Sequence, residues 1–239
     1  MSGMPADDAL LAIQIDALYR CDADGRLRHV NEPGPVATLP PAPRFFMGRT
    51  RGGNHWRFRH DLPQPFVSAL EPLCQAESVV EGFAAPPTHA AAIRRILAQH
   101  APITDEYRGP AYWIPDITTR PGAATLVDAS NARLLETWFA SLLPLTPEHG
   151  VVAALVVDGD AVSVCHCARL TGQAAEAGVE TAAPFRGRGY AGVVVAAWAT
   201  AIRRSGRLPL YSTWWGNHAS QAVARRLGMV MYAEDWSLG

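Results

Sequence analysis

The run from Val179 to Val195 holds residues whose types and spacing suit chemistry. A strand-like Val179-Glu180-Thr181 passes through Pro184-Phe185-Arg186-Gly187-Arg188-Gly189 into a helix-forming Tyr190-Ala191-Gly192-Val193-Val194-Val195. The first turn of a helix leaves backbone N–H groups unpaired at the positive end of the helix dipole, so a strand-to-helix turn is a natural seat for an anion such as a diphosphate. Gly187, Gly189 and Gly192 let a ligand approach the backbone, and Arg186 and Arg188 place positive charge beside it. Upstream on the same strand, Glu176 and Glu180 lie on one face, because side chains alternate across a strand.

Arg186-x-x-Gly189-x-Ala191 resembles the R/Q-x-x-G-x-G/A signature of the GNAT superfamily of acyl-CoA-dependent N-acetyltransferases. Downstream, Asn217-x-x-Ser220 and then Leu227-Gly228-Met229 resemble the N-x-x-A/S helix and terminal L-G-F of the same superfamily. Order and separation match as well, over about residues 123–239.

The resemblance implies a set of roles. Backbone N–H groups of Arg186, Gly187, Arg188, Gly189, Tyr190 and Ala191 would hold the diphosphate of acetyl-CoA. The strand edge at Val179 and Thr181 would bond the pantetheine arm as an added strand. That strand would splay from Leu208–Trp214, leaving a gap for the thioester. Asn217 and Ser220, one helical turn apart, would face the cofactor, and Asn217 would also cap its helix.

Acetyl transfer to an amine needs a base for the ammonium proton and an acid for the departing thiolate. Glu176 and Glu180 are the base candidates, and the sequence does not choose between them; burial would raise either carboxylate's pKa toward the working range. Here the chain departs from the superfamily pattern. The tyrosine that serves many members as the acid falls seven residues after the motif asparagine, and that position is Ala224. Ser220, Tyr211, Tyr232 or water must then protonate the thiolate. The expected reaction is transfer of an acetyl or short acyl group to a primary amine of a small molecule by direct attack. The alternatives are a protein or peptide N-acetyltransferase and a non-catalytic acyl-CoA-binding regulatory module.

The totals constrain partners. With 21 basic and 22 acidic residues the formal charge is −1, so no whole-chain field favours nucleic acid or a membrane surface. Every basic residue is arginine, which removes acetylation of its own lysines as a means of control. Cys21, Cys74, Cys165 and Cys167 have no disulfide-framework spacing, and no leader-like segment opens the chain, so a cytoplasmic protein, monomer or homodimer, is expected. No apolar run is long enough to span a bilayer. In Cys165-His166-Cys167 alternation turns the histidine away from both thiols, and no second ligand pair follows, so no metal is expected.

The elements that must position these residues follow from periodicity and turn chemistry. The expected fold class is α/β in the α+β sense. It comprises a GNAT-like mixed sheet with flanking helices over 123–239, a Pro/Gly-rich connector over 106–122, and a smaller α+β region over 1–105 that covers the substrate or is a degenerate second copy. Residues 7–19 read as a short helix or the start of a strand, because Leu10, Leu11, Ile13, Ile15 and Leu18 fit neither period cleanly. Hairpins are expected across about 17–30, across 45–59, and at Val151–Cys167 around Asp158-Gly159. Arg49, Arg51, Arg57 and Arg59 of the second hairpin would form a basic face beside Trp56 and Phe58. That face reads as solvated first, as a seat for an anionic substrate or the CoA 3′-phosphate next, and as a nucleic-acid surface last. Helices are expected near 64–77, 88–100, 188–204 and 217–227, and another from Asp128 or Ser130 through Leu142. Strands are expected at 124–127, 173–181, 208–214 and 229–237.

Overall fold

Residues 7–19 turn out helical: in the computed structural model, which describes residues 5–83, 85–117 and 124–239, α1 spans Asp7–Leu18. Its buried stripe is Leu10, Leu11, Gln14, Ile15 and Ala17, and the polar Gln14 in that stripe is what blurred the helical period. The Asp22–Gly25 turn then joins β1 (Tyr19–Cys21) to β2 (Leu27–Val30) as a small two-stranded sheet.

All other strands form one mixed sheet. They are β3 (Phe45–Thr50), β4 (Asn54–Phe58), β5 (Glu106–Trp113), β6 (Thr125–Val127), β7 (Val152–Val157), β8 (Asp160–Leu170), β9 (Ala174–Thr181), β10 (Leu208–Ser212) and β11 (Val230–Leu238). The spatial order is β4-β3-β11-β5-β10-β9-β8-β7-β6, nine strands, antiparallel everywhere except between β9 and β10. The helices α2 (Gln64–Gln75), α3 (Ala90–His100), α4 (Tyr190–Arg204) and α5 (His218–Arg226) complete an α+β fold.

Alternation along each strand divides the core into layers. Phe46, Leu210, Ala174 and Tyr232 face α1, burying Leu10, Leu11 and Ile15. Phe45, Met47 and Trp236 face the other way, against Leu70 of α2 and Ile93 and Leu97 of α3. On that second face, Val194, Val195, Trp198 and Ile202 of α4 cover Cys165, Cys167, Ala175 and Tyr211. Each fully buried aliphatic side chain of this kind is worth about 1.5–3 kcal/mol.

Three expectations are corrected. Residues 106–113, assigned to a connector, are β5, a central strand between β11 and β10. Its glycine, Gly109, is needed where the chain crosses Thr213: a Cβ there would run into the Thr213 carbonyl oxygen. Residues 118–122 of the expected connector lie outside the described residues.

The helix expected from Asp128 to Leu142 is instead two short 3-10 turns, Ala132–Leu135 and Ala140–Leu142. Asp128 accepts hydrogen bonds from the Ser130 N–H and hydroxyl, and Asn131 bonds the Asp128 N–H and the Leu126 carbonyl. These local bonds compete with helix formation.

The hairpin face read as basic is not solvated at Arg49. β3 is buried along its whole length, and Arg49 makes a 2.7 Å ion pair with Glu234 of β11.

Candidate active site

β9 and β10 part company where the site forms. They pair in parallel at Ala174, Ala175 and Glu176 against Leu208, Pro209 and Leu210, and no further. Beyond Glu176, β9 stays with β8 as far as Thr181, whereas β10 stays with β5 as far as Ser212. A wedge therefore opens between Ala177–Thr181 and Tyr211–Ser212, with Glu176 at its closed end.

The Arg/Gly turn stands at the open end. Gly187 and Gly189 adopt φ angles of +76° and +80°, values that glycine takes without strain, and Gly189 is the N-cap of α4. The N–H groups from Gly187 to Ala191 have no hydrogen-bond acceptor among the described residues. Arg186 is tied back to the Thr181 carbonyl and Arg188 to the Pro184 carbonyl, which frames the turn and leaves its N–H groups exposed. A third guanidinium, that of Arg226, arrives from α5, close enough that a Cβ on Gly189 would stand 2.9 Å from its Nη1.

This turn borders a cleft of about 470 Å³, whose other walls include Val179, Thr181, Tyr211, Asn217 and Ser220. Asn217 caps α5, accepting the Ser220 N–H at 3.1 Å. Tyr211 is buried beside Ser220, and burial pushes its phenol up to about 12, with neighbouring Ser220 opposing the shift. Burial thus favours the protonated phenol.

A second cavity, of about 590 Å³, opens on the α1 face of the sheet. Glu176 and Ser212 form part of its floor, and Tyr19, Phe46 and Trp214 are among its walls. Both halves of the sequence contribute to it. Glu176 is 4% exposed, and neither carboxylate oxygen has a well-formed hydrogen bond. Burial raises its pKa from 4.5 to about 7, with the neighbouring Ser212 and the charge of Arg169 offsetting part of the push.

A buried network steadies the loop between the two spaces. Glu234 accepts from the indole N–H of Trp215 at 2.7 Å, pairs with Arg49 at 2.7 Å and with Arg108 at 3.2 Å. Trp215 is thereby fixed between Trp214, on the wall of the larger cavity, and Asn217, at the start of α5.

A family model described as an acetyltransferase (GNAT) domain matches residues 87–230. The chain belongs to this GNAT acetyltransferase family. It is therefore an acyl-CoA-dependent N-acetyltransferase by family, and acetyl-CoA is the family's co-substrate. Among solved structures, a GCN5-related N-acetyltransferase-like protein from Streptococcus suis 89/1591 is similar over 83% of this chain and 85% of its own, at a TM-score of 0.49 and 15% identity. A GCN5-related N-acetyltransferase from Kribbella flavida is similar over 99% of this chain and 96% of its own, at a TM-score of 0.48 and 19% identity. No curated protein matches the sequence.

In this GNAT chain the residues expected to bind acetyl-CoA lie together along one cleft: Val179, Thr181, the Arg186–Ala191 turn, Asn217 and Ser220. The unpaired N–H groups and the Gly189 cradle, which a Cβ would fill, suit a diphosphate. The two base candidates are separated. Glu176 is enclosed at the wedge apex, whereas the Glu180 side chain is 55% exposed and lies 3.9 Å from His166.

Cys165 and Cys167 are buried under α4 and His166 points the opposite way, so the three side chains do not converge. Ala224, in place of the usual tyrosine, is fully buried. Tyr232 is remote from the cleft: it packs against α1 and donates to Gln14. Sequence reasoning missed Arg226 and Ser212, because only the fold brings α5 and the end of β10 to the site.

Proposed function

We propose that the protein transfers an acetyl or short acyl group from acyl-CoA to a primary amine of a small molecule, by direct attack of the amine on the thioester. The observation that carries this reading is the position of Glu176. An unpaired carboxylate sits at the apex of the β9/β10 wedge and lines the larger cavity, while the acyl-CoA cleft lies along the open part of the same wedge.

Amines are mostly protonated near neutrality, so a base must act before attack. Glu176, with a pKa of about 7, accepts that proton at the closed end of the wedge. The nitrogen lone pair adds to the thioester carbonyl, and the C–S bond then breaks. Tyr211, beside Ser220, gives the departing thiolate a proton, and the second proton shed by the nitrogen as it becomes an amide restores the phenol. The N–H groups of Gly187–Ala191, with Arg226, hold the diphosphate, and the free edge of β9 at Val179 and Thr181 aligns the pantetheine arm. A cavity of about 590 Å³ walled by both halves of the chain suits a small acceptor better than a protein surface.

The test is turnover of acetyl-CoA with a panel of small amines, comparing wild type with E176Q and Y211F. Loss of the base should lower kcat by about 10²–10⁴-fold with acetyl-CoA binding nearly intact, and loss of the phenol should also lower kcat. Wild-type turnover in E176Q would remove the carboxylate from the mechanism.

A further inference from the structure

The acceptor cavity holds a second acid that the proton-transfer chemistry does not use. Asp235 of β11 is 2% exposed and lines the same cavity as Glu176. Its Oδ2 accepts from Gln14 Nε2 at 2.8 Å, and the Gln14 carbonyl oxygen in turn accepts from the Tyr232 hydroxyl at 2.8 Å. That chain fixes the amide: its oxygen is taken by the phenol, so its NH₂ is what meets Asp235. Asp235 is thus held as an acceptor, with its other oxygen, Oδ1, buried and unpartnered.

No cationic side chain pairs with Asp235 among the described residues. The two guanidinium groups on the cavity wall are engaged elsewhere, Arg59 with Asp61 at 2.7 Å and Arg169 with Glu32 at 3.0 Å. Burial and the neighbouring Glu176 and Glu234 hold Asp235 well above the usual carboxylate range, and only the Gln14 bond opposes them. With no counter-charge beside it, such an acid keeps its proton, and an ammonium bound at the open oxygen would restore the carboxylate. Tyr19, Phe46, Tyr107 and Trp214 in the cavity lining are aromatic residues of the type that attract cations.

We propose that Asp235 is a recognition site for a second cationic nitrogen of the acceptor, which makes the preferred substrate a small diamine. The reacting amine lies at Glu176 and the distal ammonium at Asp235, with the connecting methylenes against the aromatic walls. This rests on the acetyltransferase reading above and adds to it the class of acceptor.

The experiment compares diaminobutane, aminobutanol and the isosteric monoamine n-pentylamine as acceptors for wild type and D235N. A parallel calorimetric titration with the same amines is made on the CoA-loaded protein. Asparagine keeps the acceptor oxygen for Gln14 and removes the charge. In wild type, kcat/KM for the diamine should exceed that for the monoamine by about 10–100-fold, the range expected for a hydrogen bond to a charged group, and D235N should collapse this preference. Equal use of the diamine and n-pentylamine by wild type would overturn the proposal. So would a diamine preference that survives in D235N, or an aminobutanol that matches the diamine. If no amine is acetylated, the transferase reading fails, and the titration still decides the site: diamine binding no tighter than n-pentylamine binding overturns it.

Discussion

Glu176 ties stability and activity together at a single carboxylate. Its pKa is about 7 in the folded protein against an ordinary 4.5. Between those values the unfolded chain has released a proton that the folded chain keeps, so stability falls as pH rises through the window and levels off above it. The loss is on the order of 3 kcal/mol. The rate moves the other way, rising with pH as the base ionises. E176Q should therefore melt at a higher temperature than wild type at about pH 8 and draw level near pH 4, while losing the acidic limb of the rate profile. Melting curves of both proteins across that range decide it; a variant that gains nothing at the alkaline end would mean that Glu176 is not strained by burial. The sequence placed Glu176 and Glu180 on one strand face, and the structure agrees. What it could not show is that β10 leaves β9 just past Glu176, enclosing one carboxylate and exposing the other.

Legibility differed among the elements according to where their determinants lie. The β7–β8 hairpin was readable because Asp158 and Gly159 both adopt positive φ, 52° and 91°, and the sequence declares that need locally. The Arg/Gly turn was readable for the same reason. The segment from Asp128 to Leu142 was not, since its apolar spacing suits a helix while its Asp128, Ser130 and Asn131 side chains bind their own backbone. β5 was obscured by Gly109 and Pro110, residues that usually interrupt strands.

Gly189 combines φ of +80° with the approach of Arg226, so Gly189→Val introduces backbone strain of about 1–3 kcal/mol and fills the diphosphate cradle. The variant should retain the wild-type circular dichroism spectrum, melt lower, and no longer bind acetyl-CoA in a calorimetric titration. Unchanged affinity in the folded variant would place the diphosphate elsewhere.

At the scale of the whole molecule, the two sequence regions share one sheet. β5, from upstream of the GNAT-like motifs, separates β10 from β11, pairing with β11 from Glu106 to Trp113 and with β10 from Ala111 to Trp113. β3 then extends the sheet beyond β11, and Arg49 on β3 pairs with Glu234, which holds Trp215 beside the site. α1 supplies Gln14 to Asp235 from the other face. Removing the upstream region would strip β5 from between two strands, expose their edges, and uncover the apolar faces of Tyr232 and Trp236. The full chain should accordingly unfold in a single cooperative transition, and a fragment of residues 124–239 should show no cooperative melt and no stabilisation by acetyl-CoA, even though it retains the whole Arg/Gly turn. Differential scanning calorimetry of both proteins, with and without the co-substrate, is the measurement. A fragment that melts cooperatively and is stabilised by acetyl-CoA would make residues 124–239 a self-sufficient domain and reduce the upstream region to a cover for the acceptor cavity.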